Sequence, residues 1–154
     1  MIRYTSSDLQ IVTAGDYIHA HIAQFFPGGV VTGARLACGI VEDALLMGVQ
    51  KVLTVHQNDC WAVIGSEDWL NADTVEAIDQ MFSRMTSFPE GGINSMRSEV
   101  LLPPFCSDIL AATPESDHAV KGTAGHLRQL LTAPFQWSRA IAFCVRRSAE
   151  QKSG

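Results

Sequence analysis

The chain has 154 residues, of which 47% are hydrophobic and 18% are charged, enough for one domain around a single core. Its formal net charge of -5 at pH 7 argues against an autonomous nucleic-acid binder, because such proteins need clustered Lys and Arg to neutralise phosphate. No segment reaches the roughly 18 uninterrupted apolar residues of a membrane span, and the start of the chain lacks the basic-then-apolar order of a secretory signal.

The first half of the chain predicts a helix followed by a hairpin. Residues 8–26 fit either two short strands or a strand followed by a helix. Apolar residues at helical spacing then run from Thr32 or Gly33 to Met47, and Gly48 follows as a C-terminal cap. The segments "KVLTVH" (51–56) and "CWAVIG" (60–65) flank an Asn-Asp turn and predict an antiparallel hairpin.

The second half predicts two more helices and a late strand. The first of these helices is capped by Asn71 or Asp73 and ends at Phe88-Pro89. Residues 98–105 predict a short strand, with the start of a helix near Ser107 as an alternative. The polar segment 113–125 predicts a long loop, residues 126–135 a helix, and residues 139–147 a strand. We therefore expect an α+β two-layer sandwich, in which about three helices cover a mostly antiparallel mixed sheet.

The four cysteines are far apart, lie in apolar surroundings and form no C-x-x-C motif; they are Cys38, Cys60, Cys106 and Cys144. We interpret them as buried free thiols of an intracellular, soluble protein. One globular domain is expected over residues 1–147, with a disordered tail over residues 148–154.

Isolated nucleophiles and histidines give only weak hypotheses. His19 and His21 alternate on a predicted strand and could share a face as metal ligands, but no third ligand is placed. Cys106 or a histidine could serve a small cytosolic enzyme whose reaction is unknown. Buried cysteines usually behave as small hydrophobic residues, so a structural role for Cys106 is favoured.

Asp43 borders the buried stripe of the predicted helix. With Leu36 at zero on the helical wheel, Asp43 falls at about 340° and Ile40 at about 40°. A carboxylate in this position needs a hydrogen bond, an ion pair or a metal to offset its desolvation. It therefore either bonds a loop backbone or an Arg, or belongs to a ligand site.

The order and spacing of several motifs favour the ligand site. They are "TAGDY" (13–17), "GIVED" (39–43), Gly48, the hairpin, Asp68 and "GTAGHLRQLL" (122–131). In this order they resemble the nucleotide-binding domain of the GHKL ATPases, the family that includes gyrase B, MutL and histidine kinases, with MutL-type proteins the most similar. The resemblance implies a Bergerat-like fold, with Asp43 on Mg²⁺, Asp68 on adenine, and Gly122 and Gly125 around phosphate.

The departures from the family motifs imply lost chemistry. Gly39 stands where the family has its general base, a Glu, so no side chain can activate water. We accordingly expect no catalytic residues and no resident cofactor. The preferred interpretation is a non-catalytic GHKL-like interaction module within a larger assembly, with a protein partner or a homo-oligomer. The alternative is a domain that binds ATP and Mg²⁺ through Asp43, Asp68, Gly122 and Gly125 without turnover.

Overall fold

The computed structural model describes residues 13–92 and 95–146, in which α-helices and short 3₁₀ segments surround one sheet. The α-helices are α1 (Ala14–Ala20), α2 (Ile22–Phe25), α3 (Gly33–Leu46) and α4 (Val75–Ser83). The strands are β1 (Val52–Gln57), β2 (Cys60–Gly65), β3 (Cys106–Ala112), β4 (Asp117–Lys121) and β5 (Arg139–Val145). The 3₁₀ segments are Pro27–Gly29, Pro89–Gly91, Ser98–Leu101 and Ala124–Leu130.

The five strands of the described chain form one open sheet in the order β1-β2-β5-β3-β4, and every neighbouring pair is antiparallel. This confirms the predicted α+β class with its antiparallel sheet. Within the described ranges, no helix combines the length and the apolar character that crossing a membrane requires. The predicted tail over residues 148–154 lies outside the described residues.

The two faces of the sheet are buried by different elements. On one face, α3 and α4 pack against Val63, Ile141 and Phe143 in the larger core cluster. On the opposite face, the 3₁₀ segment Ala124–Leu130 packs against the alternate residues of the same strands, such as Ala62. Because side chains alternate across a strand, this division places α3 and Ala124–Leu130 on opposite sides of the sheet.

The predicted central helix is confirmed, and its ends follow local rules. The Thr32 hydroxyl accepts the Arg35 N–H at 3.2 Å and caps the start of α3. At the other end, Gly48 adopts a φ of +94° while its N–H donates to the Leu45 carbonyl. The hairpin β1-β2, the helix α4 and the late strand β5 are confirmed as well. However, α4 is capped by Thr74 rather than Asn71 or Asp73, and it ends at Ser83 rather than at Phe88-Pro89.

Several expectations about local structure were wrong. His19 lies in α1 and His21 ends it, so they do not alternate on a strand, and residues 8–12 of that prediction lie outside the described ranges. The expected strand at 98–105 contains the 3₁₀ segment Ser98–Leu101, and Ser107 lies in β3 rather than at a helix start. The expected loop 113–125 contains β4, and the helix expected over 126–135 is replaced by the 3₁₀ segment Ala124–Leu130.

The prediction of four buried free thiols was also wrong for three of the cysteines, and only Cys106 agrees with it. Cys60 and Cys144 are paired positions on the neighbouring strands β2 and β5, and their side chains form a disulfide. Cys38 and Cys106 are free, the first exposed and the second buried. The four cysteines therefore no longer support the inference of an intracellular protein.

Candidate functional site

Asp43 is buried in α3, and its carboxylate bonds to the backbone of a segment that is distant in sequence. Asp43 is only 5% exposed, and its Oδ2 accepts the backbone N–H of Ser98 at 2.7 Å. Ser98 begins the 3₁₀ segment Ser98–Leu101, where an unpaired N–H would otherwise be buried. Of the two interpretations left open by the sequence, the structure shows the first, in which Asp43 bonds a loop backbone.

Gly39 makes this contact possible. A Cβ atom at Gly39 would lie 3.1 Å from Oγ and 3.2 Å from Cβ of Ser98, tighter than ordinary side-chain contacts. The missing side chain lets the segment at Ser98 approach α3 one turn before Asp43. Gly39, the residue at the motif position of the general base, therefore has a packing role in this fold.

Arg97 and Glu99 flank Ser98 and form a buried ion pair. Arg97 Nη2 lies 2.7 Å from Glu99 Oε1, and its Nε lies 3.3 Å from the other carboxylate oxygen. Arg97 Nη2 also donates to the Trp69 carbonyl at 3.1 Å, and the guanidinium lies over the Phe88 ring at 5.3 Å from its centroid. Glu99 is 0% exposed, so its charge depends on Arg97.

The pKa of Asp43 is raised by this environment. Burial is the main cause and the Glu99 charge adds to it, while the Ser98 N–H and the Arg97 charge act in the opposite direction. The result is a pKa of about 6, compared with 3.8 for an ordinary Asp. Asp43 therefore titrates between the acidic and neutral ranges, unlike an exposed carboxyl.

The first testable prediction concerns this titration. Below pH 4, Asp43 is protonated in both the folded and the unfolded chain. Between pH 4 and 6 only the folded chain keeps the proton, so its stability falls as the pH rises, by up to about 3 kcal/mol, and then levels off. Asp43→Asn keeps an acceptor for Ser98 and cannot titrate. In urea unfolding, the stability of the variant relative to wild type should rise from pH 4 to 6, and a pH-independent difference would contradict the raised pKa.

Asp68 is held by Arg139 at the start of β5. Its Oδ1 accepts from Arg139 Nε at 3.0 Å and from the Leu70 N–H at 2.9 Å, and its Oδ2 accepts from Arg139 Nη2 at 3.1 Å. Burial alone would raise the pKa of Asp68, but the hydrogen bonds and the charge of Arg139 hold it below its ordinary value. Both carboxylate oxygens are thus engaged by the protein.

Asp43 and the neighbour of Asp68 in sequence, Trp69, both bond to the segment of chain at Arg97 and Ser98. Ser98 donates to Asp43, while its neighbour Arg97 donates to the carbonyl of Trp69, which adjoins Asp68 in sequence. The described contacts link the two acids only through this chain of residues. Each carboxylate has its own protein donors, so the arrangement is that of structural anchors.

Gly122 and Gly125 lie elsewhere in the fold. Gly122 precedes the 3₁₀ segment Ala124–Leu130 and Gly125 is its second residue, on the opposite face of the sheet from α3. The intervening Thr123 N–H donates to Asp108 Oδ1 at 3.0 Å. Gly122 has a φ of +67°, and a Cβ there would collide with the Asp108 carboxylate and the Ser107 carbonyl. A carboxylate of the protein thus occupies the place expected for an anionic ligand.

A pair of adjoining clefts opens between α1, α4 and β4. One has a volume of about 490 Å³ and the other about 580 Å³, and they share Thr13, Ala14 and Ser83. The second is lined by Tyr17 and Met85, whose large apolar side chains are 36% and 39% exposed. The clefts form a largely apolar depression beside the edge strand β4.

Charged groups mark one wall of the first cleft, the one of about 490 Å³. Asp79 Oδ1 lies 2.8 Å from His118 Nε2, and Lys121 Nζ donates to the Pro103 carbonyl at 2.7 Å. Partial burial, together with the Arg146 charge, lowers the pKa of Lys121. The His118 and Asp79 side chains are 22% and 51% exposed, so this pair is a solvated rim contact.

Cys106 does not have the environment of a nucleophile. It is 0% exposed in the larger core cluster, and burial raises the pKa of its thiol to about 12. The reactive thiolate is therefore scarcely populated at neutral pH. These properties match the structural role favoured from the sequence.

The residues that sequence reasoning missed are the partners of the two acids, namely Arg97, Glu99 and Arg139. All three are buried and charged. Arg139 precedes the apolar run of β5, and Arg97 and Glu99 precede Val100 and Leu101. Charged residues at the border of apolar runs were the available signal, because a buried charge needs a partner.

No family model, curated protein or solved structure matches this chain.

Proposed function

We propose that the chain is a non-catalytic interaction module, a degenerate relative of the GHKL ATPase domain, which binds a protein partner or a second copy of itself. The observation that carries this proposal is the engagement of both motif carboxylates by the fold. Asp43 is bonded to Ser98, and Asp68 is bonded twice to Arg139. Groups committed in this way stabilise the domain and are not free to coordinate Mg²⁺ or adenine.

Nucleotide binding would disrupt this arrangement at a substantial energetic cost. To accept an adenine amino group, Asp68 would have to release part of its interaction with Arg139, whose side chain is 6% exposed. Weakening the pairing of the buried Arg139 charge costs free energy, and water offsets part of that cost because the Asp68 side chain is 35% exposed. The intrinsic affinity of a nucleotide would have to exceed this cost before any binding was observed.

The interaction surface that we propose is the pair of apolar clefts beside α1 and α4. Tyr17 and Met85 expose large apolar side chains into one depression, and Asp79 and Lys121 supply polar contacts in the adjoining one. An apolar centre with charged groups around it is the usual composition of a protein interface. A mean hydropathy of +0.11 fits a chain that buries part of this surface in an assembly.

Calorimetric titration with ATP and Mg²⁺ tests the absence of a nucleotide site. We expect no binding heat for the wild-type chain up to millimolar nucleotide. Asp68→Asn and the exposed control Asp73→Asn should likewise give none. Saturable binding that is lost in Asp68→Asn but kept in Asp73→Asn would instead establish the alternative, in which the domain binds ATP without turnover.

Sedimentation velocity tests the interaction surface. If a second copy occupies the clefts, the wild-type chain should associate as its concentration rises, and Met85→Glu should shift it to monomer by at least tenfold in dissociation constant. Val30→Glu, at an apolar residue 53% exposed that lines neither cleft, is the matched control and should associate like wild type. A wild-type chain that stays monomeric would exclude the second copy and leave a different protein as the occupant.

A further inference from the structure

The disulfide of Cys60 and Cys144 has a histidine beside it. Both cysteines project from the sheet toward the face that Ala124–Leu130 covers, and His126 belongs to that segment. One side-chain ligand atom from each of the three residues lies within 4.8 Å of the other two. Two sulfurs and an imidazole nitrogen form the donor set that zinc prefers in proteins.

The hydrogen bond of His126 leaves one ring nitrogen available as a ligand. Its Nδ1 lies 2.8 Å from the Thr123 carbonyl oxygen. A carbonyl oxygen can only accept, so Nδ1 is the donor in this bond, and in the neutral imidazole the lone pair is then on Nε2. Metal-binding histidines in proteins are oriented in this way, with the second nitrogen donating to a carbonyl or carboxylate.

We propose that these three residues form a redox-gated site for a borderline divalent cation of the zinc class. A dithiol reductant transfers two electrons and two protons to the Cys60–Cys144 disulfide, breaks the S–S bond and is itself oxidised to a disulfide. The cation then displaces both thiol protons and binds the two thiolates and His126 Nε2, with water as the fourth ligand. In the oxidised chain the sulfurs are bonded to each other and do not provide the thiolate ligands.

The position of the site suits both steps. His126 is exposed and Cys60 is half-buried, so a reductant and an ion can reach them, whereas Cys144 is 7% exposed and lies deeper. The strands β2 and β5 are also joined by the backbone hydrogen bonds of their antiparallel pairing. The site lies across the sheet from Asp43 and is independent of the proposed interaction function.

Cobalt(II) titration provides the test, because thiolate ligation gives cobalt intense charge-transfer absorption. The protein is used as Cys38→Ser, which removes the exposed free thiol, and is compared after reduction by a phosphine and after oxidation. We expect one cobalt ion per reduced chain and none per oxidised chain, with zinc displacing the cobalt. His126→Ala should weaken binding at least about tenfold, whereas His56→Ala, on the other face of the sheet, should not change it.

Three results would overturn the proposal: equal binding by the oxidised chain, equal binding by His126→Ala, or no binding by the reduced, folded chain. Circular dichroism establishes whether the reduced chain is folded. If reduction unfolds it, zinc should restore the fold of the reduced chain without affecting the melting temperature of the oxidised chain. Failure of zinc to restore the fold would also overturn the proposal.

Discussion

Arg97→Ala is expected to lower the free energy of unfolding by about 3 to 5 kcal/mol. The substitution leaves Glu99 completely buried without its ionic partner, and it also removes the donor to the Trp69 carbonyl. The stacking of the guanidinium on Phe88 is lost as well. Urea unfolding followed by tryptophan fluorescence measures the change, which would leave a typical small domain with little of its stability.

Matched variants separate the buried charge from general damage. The double variant Arg97→Met/Glu99→Leu removes both charges and keeps apolar volume, so it should recover most of the loss. Asp117→Ala breaks the ion pair with Arg128, in which the side chains of Arg128 and Asp117 are 35% and 40% exposed. It should lower the free energy of unfolding by no more than about 1 kcal/mol. If Arg97→Ala cost as little as Asp117→Ala, the buried pair would not anchor the segment at Ser98.

The confirmed elements are those whose information is local. The apolar stripe of α3, its cap Thr32 and the stop at Gly48 all lie within one stretch of sequence. The hairpin β1-β2 is similarly determined by two apolar strands and a short turn, in which Asn58 adopts a φ of +57°. Patterns of this kind identify an element without knowledge of its neighbours.

The elements that were missed depend on contacts made across the fold. The strand β4 is short and only partly buried, and it is a strand because it pairs with β3 at the edge of the sheet. The disulfide joins residues 84 positions apart, and it becomes visible only when the register of β2 against β5 is known. Neither feature leaves a periodic signal in its own segment.

The same distinction applies to the candidate site. The helical wheel placed Asp43 at the border of the buried stripe, and its burial in α3 agrees with that prediction. Its partner Ser98 is 55 positions away, and the partner of Asp68, Arg139, is 71 positions away. Sequence reasoning could therefore identify a carboxylate that needs a partner, but it could not find which residue supplies it.

Gly122→Ala is expected to destabilise the fold by about 2 to 4 kcal/mol, whereas Gly125→Ala should change its stability by less than about 0.5 kcal/mol. An alanine at the first position must adopt a φ near +67°, which costs about 1 kcal/mol or more, and its Cβ also collides with Asp108 and the backbone of Ser107. At Gly125, nothing lies within 4 Å of the new Cβ and no positive φ is required. Thermal and urea unfolding of the two variants measure this difference directly.

This contrast also distinguishes two explanations of the G-x-x-G pattern. In a phosphate-binding loop, both glycines would matter for ligand approach, and neither would be explained by contacts within the folded protein. In the structure, only Gly122 is constrained, because Asp108 packs against it and accepts the Thr123 N–H. Equal loss of stability in the two variants would contradict this assignment. A large loss of stability confined to Gly122→Ala would support a loop that packs against the carboxylate of Asp108. The spacing of Gly125 from Gly122 would then have no functional meaning.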